Sequence, residues 1–105
     1  MTQTINGSGD YIIEHAGVEV TFFNDGAFAI NKKNQQGDTI SKIAIQQDGA
    51  MELSTSSGYD IQVINTTHGN QVNVGGDGNI NITVPEGKCI NLNGAVNVNG
   101  SLNTN

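Results

Sequence analysis

The 105 residues suffice for one small domain, and their 35% hydrophobic and 5% aromatic content, with no tryptophan, falls short of the packed core of a typical globule. Ten acidic against four basic side chains give a net charge of −6, which argues against nucleic acid as a partner, because binding a phosphate backbone needs a Lys/Arg patch. The single cysteine, Cys89, excludes an intrachain disulfide framework and fits a reducing compartment.

Residues 1–10 carry neither a basic n-region nor an apolar h-region, which predicts a product made in the cytoplasm without a signal peptide. They read as a flexible lead-in. Residues 11–50 hold all three phenylalanines and the groups Val18–Phe22, Phe28–Ile30 and Ile43–Ile45. Hairpin-like turns are expected at Asn24-Asp25-Gly26 and Gln36-Gly37-Asp38, with 31–39 as a polar loop. The alternation of apolar and polar residues predicts an antiparallel β collar over this stretch.

From Met51 onward the apolar groups become shorter and closer. They start at Met51, Ile61, Val72, Ile80, Ile90, Val96 and Leu102, separated by Gly, Asn and Asp turn formers. The last part is a hexad, Asn91-Leu92-Asn93-Gly94-Ala95-Val96 followed by Asn97-Val98-Asn99-Gly100-Ser101-Leu102. Strands of three residues are too short for a free-standing ladder, so each layer must bury its apolar face completely. One chain can do this by coiling with about 18 residues per turn. Alternatively, three chains can each supply one face of every layer. The drift in repeat length favours the second arrangement: an all-β, intertwined trimeric β-helix (a triple-stranded prism) over 51–105, following the 11–50 collar. Its axial core would be Met51, Leu53, Ile61, Val63, Val72, Val74, Ile80, Ile82, Ile90, Leu92, Val96, Val98 and Leu102.

No residue set predicts catalysis, and the chain reads as non-enzymatic. His15 and His68 have no Cys, Asp or Glu at ligand spacing, and His68 precedes Gly69 as a solvated corner would. Cys89 lies opposite in parity to Ile90 and Leu92, as a surface or corner thiol does. Gly75-Gly76-Asp77-Gly78-Asn79-Ile80 is similar to the opening of a calcium-binding nonapeptide, but it occurs once and has Ile80 where that repeat has aspartate. It reads as a tight corner. The Asn-rich outer face has few aromatic platforms for sugar, so solvated asparagine is the expectation. No cofactor is expected; ions or lipid on the axis stay open.

The stretch from Gly78 to Thr83, followed by Ile90 to Leu102, resembles the C-terminal β-helix of central spike proteins of contractile-tailed bacteriophages and related injection machines. The resemblance covers about 48–105 and extends to 11–47 only in general character. It implies a homotrimeric spike at the tail tip, acting mechanically on the host outer membrane, with a tail-tube or baseplate hub at its N-terminal end. Several spikes of this kind end in a His-x-His iron site, which is missing here. The resemblance therefore implies either a removed apex or a separate tip-capping protein on Ser101, Leu102, Asn103, Thr104 and Asn105. Two other classes compete with it. One is a self-assembling single-chain β-helix scaffold of the bactofilin type. The other is a left-handed β-helix acyltransferase piece, for which the hexads are too few and the histidines too distant.

Overall fold

The computed structural model describes residues 1–104. It is all-β, and every strand pairing is antiparallel. Strands β1 (Thr2–Ile5), β2 (Tyr11–His15), β3 (Val18–Phe22), β4 (Phe28–Lys33), β5 (Thr39–Ile45) and β6 (Met51–Thr55) form one six-stranded meander in sequence order. Strands β7 (Ile61–Ile64), β8 (Gln71–Val74) and β9 (Ile80–Thr83) form a second, three-stranded meander.

The turns explain why the chain reverses so regularly. In the β4–β5 turn, Asn34 Oδ1 accepts from the amides of Gln36 and Asp38, each at 3.0 Å. That side chain thereby imitates a backbone turn and leaves Gly37 to take φ 88°. The Asn6 turn repeats the pattern with Ser8 and Asp10. Ala16 is the exception, a non-glycine residue at φ 52° in the β2–β3 turn.

Three expectations change at this level. Residues 2–5, read as part of a flexible lead-in, form β1. Their sequence has one apolar residue, but Ile5 pairs with Tyr11, and Tyr11 Oη bonds to Gln3 Oε1 at 3.1 Å. Residues 51–55, read as the start of the repeat stack, are instead the last strand of the first sheet, with Met51 opposite Ile45 and Leu53 opposite Ile43. Within 31–39, residues 31–33 and Thr39 belong to β4 and β5, so the polar loop is confined to the residues between them.

The two sheets meet through their turns. Gly58 donates to Gly76 O at 3.1 Å, and Asp60 Oδ1 accepts from the Gly76 amide at 2.7 Å. A Cβ on Gly76 would collide with the Gly58 and Tyr59 backbone, so glycine alone allows this approach. The result is elongated, 58 × 30 × 28 Å, with a radius of gyration of 18.6 Å against about 13 Å for a compact chain of this length. Among the described residues the buried ones are few: Thr21, Ala29 and Ala44, in adjacent strands on one face of the first sheet.

Candidate assembly interface

Strand register sorts each sheet into a polar and an apolar face. On one face of the first sheet, Ile5, Tyr11, Phe22, Phe28, Ile45 and Met51 form a single row across the strands. Beside it runs Gln3, Ile13, Val20, Ile30, Ile43 and Leu53. The aromatic rings touch along the row, Tyr11 to Phe22 at 6.1 Å and Phe22 to Phe28 at 5.2 Å between centroids. The second sheet repeats the arrangement with Ile61, Val74 and Ile80 in one row and Val63, Val72 and Ile82 in the next. Its opposite face presents Gln62, Asn73 and Asn81. Alternation thus places the expected axial residues of 61–83 on a common face.

None of the described residues covers that face. Ile61 is half-buried, while the rest of the expected axial set is exposed, with Met51 at 76%, Ile80 at 68% and Leu102 at 72%. The chain's accessible surface is 8237 Å², whereas a compact monomer of this mass exposes about 5,600 Å². The excess of about 2,600 Å² per chain is the size that obligate subunit interfaces bury.

The C-terminal stretch shows the same deficit in hydrogen bonding. Beyond Thr83 the described residues form no strand, and after the turn in which Lys88 N bonds to Pro85 O at 3.1 Å no backbone–backbone bond is formed among them. Ile90, Leu92, Val96, Val98 and Leu102 still alternate with polar residues along this stretch, and all five are exposed. A run of unpaired N–H and C=O groups beside an apolar edge is a template for another strand. Of the expected tip residues, Ser101, Leu102, Asn103 and Thr104 are exposed, and Asn105 lies outside the described residues.

The polar faces are held by local contacts. Lys33 Nζ meets Glu19 Oε2 at 3.1 Å and Lys42 Nζ meets Glu52 Oε1 at 3.5 Å; solvent screening leaves such partly exposed pairs a small share in stability. A hydrogen bond from Ser54, and then the Lys42 charge, hold the Glu52 carboxyl below its ordinary range. Asp77 is lowered too, first by the backbone amide of Asn79 at 3.0 Å and then by the Asn79 side chain. Here the glycine-rich corner 75–78 uses its aspartate to close its own turn, as its reading as a tight corner requires.

The fold brings His68 and Cys89 to one open hollow of about 470 Å³, together with Pro85 and Lys88, although sequence spacing had kept them apart. Among the described residues no group of three or more His, Cys, Asp or Glu side chains is placed to hold a metal ion. What sequence reasoning missed is the apolar face of the first sheet. Ile5, Tyr11 and Phe22 lie on different strands, and only register aligns them. Comparison with protein-family models, with curated proteins and with solved structures gives no match.

Proposed function

We propose that three copies of this chain assemble around their apolar faces into a rigid rod, the envelope-piercing spike of a contractile tail or related injection machine. The observation that carries this reading is the apolar face of each sheet, followed by the alternating C-terminal stretch, with none of the described residues to cover them. Each chain then supplies one wall of a three-sided prism. The rows containing Tyr11 and Ile61 and the alternating residues from Ile90 onward meet on the axis, and 84–104 complete their ladders against neighbouring copies in an intertwined taper.

The work of such a rod is mechanical. Continuous ladders and close-packed layers resist bending, and no chemical step is required. The first sheet forms the wide end, suited to a tail-tube or baseplate hub, and the exposed Ser101–Thr104 end suits a tip cap before contact with the host outer membrane. The competing scaffold, a single-chain β-helix polymerising end to end, needs parallel stacking of coils. The pairings here are antiparallel between sequence neighbours, which favours the trimer.

Light scattering coupled to size exclusion tests the reading: the expected mass is close to three times 11.0 kDa, with elution ahead of a globule of that mass. A mass of one chain rejects the spike. Long filaments in electron micrographs favour the scaffold instead. Immunogold labelling of purified contractile particles at the distal tail end is the expected placement, and label elsewhere overturns it.

A further inference from the structure

The two turn-bearing edges of the first sheet differ in charge. One edge carries the β1–β2, β3–β4 and β5–β6 turns, with Asp10, Asp25 and Asp48 and no basic residue. The other carries the β2–β3 and β4–β5 turns and the row His15, Val18, Lys32, Ser41 and Thr55. Asp38 is the carboxylate in those two turns, and Lys33 at this edge is already paired with Glu19 at 3.1 Å.

Lys32 is different. It lies in a row on the apolar face, and among the paired positions of that face it is the single lysine or carboxylate. It is exposed, and its Nζ reaches over the β2–β3 turn to Ala16 O at 3.2 Å, with no carboxylate among the described residues as partner. A lysine on a face that assembly buries is costly unless it meets an opposite charge.

Resting on the homotrimer reading, we infer that the copies join head to tail at their edges, with Lys32 of one chain meeting Asp25 of the next. A three-fold ring is heterologous, so an edge never meets its own copy, and each aspartate edge must face a lysine edge. Rotation about the axis adds no translation along it. Lys32 on β4 therefore stands level with the neighbour's β3–β4 turn, where Asp25 sits. Asp25 Oδ1 accepts from the Ala27 amide at 2.9 Å, which holds the carboxylate in place and leaves Oδ2 to turn outward.

Charge reversal in the full chain tests the seam, read as the protein concentration at half-assembly by light scattering. Lys32→Glu and Asp25→Lys alone are each expected to raise it by about tenfold or more, since every ring contains the seam three times. Asp25→Asn, which keeps the acceptor for the Ala27 amide, should give a smaller rise and flatten the dependence on salt. The double variant Lys32→Glu/Asp25→Lys should return toward wild type. Trimers unchanged by either reversal overturn the seam and leave the homotrimer standing, and a double variant no better than the singles overturns this pairing. A wild-type monomer overturns both.

Discussion

Ile82 offers the most direct trial of the buried axis. In the isolated chain it is 54% exposed, and it stands opposite Val72 on the apolar face of the second sheet. On an open surface, Ile82→Asn would change stability by less than about 0.5 kcal/mol. On a three-fold axis the substitution removes about 1.5–3 kcal/mol of transfer free energy. It also buries an amide whose partners are apolar, at a further cost of about 1–3 kcal/mol. The loss is then about 2.5–6 kcal/mol for each chain, enough to lower the melting temperature by about 10 °C or more for a chain of this size. Neighbouring Asn81 faces the other way, alongside Asn73, so Asn81→Ser serves as the control and should move the midpoint by only a few degrees. Thermal unfolding followed by circular dichroism, with mass measured on the same samples, reads both. If Ile82→Asn melts with wild type while remaining trimeric, the apolar face does not meet on an axis.

Amide hydrogen exchange should show residues 89–104 protected at concentrations where the protein is assembled and exchanging freely where it is dissociated; equal exchange in both conditions excludes interchain ladders there. Gly76→Ala forces the Gly58–Tyr59 backbone away, and a loss of about 2 kcal/mol or more is expected in chemical denaturation, whereas Gly26→Ala meets no atom within 4 Å and bears only the strain of φ 94°. Asp77 has its pKa lowered in the folded chain, so the stability it contributes is present above the ordinary aspartate range and is lost as pH falls through the lowered value. Acid titration of the wild type and Asp77→Asn should therefore show a steeper decline in the wild type, and parallel curves exclude a role for that carboxylate.

The strands of the second sheet were legible because Ile61-Gln62-Val63, Gln71-Val72-Asn73-Val74 and Ile80-Asn81-Ile82 alternate cleanly between turn formers, and the pleat turns alternation directly into two faces. The β1 strand was not, since Thr2-Gln3-Thr4-Ile5 gains its order from β2 and shows little pattern alone. Nor was the allegiance of Met51–Thr55. Its residues suit either sheet, and pairing with Ser41–Ile45 is decided by the short Gln46–Ala50 turn, where Asp48 Oδ1 takes the Ala50 amide at 3.0 Å. The candidate interface was half legible. Val63, Val72 and Ile82 announce a face by spacing, but the row from Ile5 to Phe28 exists only once register is known. Lys32 drew no notice in the sequence, where it is one of two adjacent lysines in a polar stretch.

Pairing only between sequence neighbours has a consequence for how such a molecule changes over generations. Within each sheet a hairpin is a module whose partners are its sequence neighbours, so gaining or losing one lengthens or shortens the sheet without re-pairing the remainder. The permitted step is two strands. Inserting a single strand would send every later turn to the opposite side, carrying aspartates to where lysine stands. Length in this architecture is therefore quantised by the hairpin, and only steps of two strands keep each later turn on its own side.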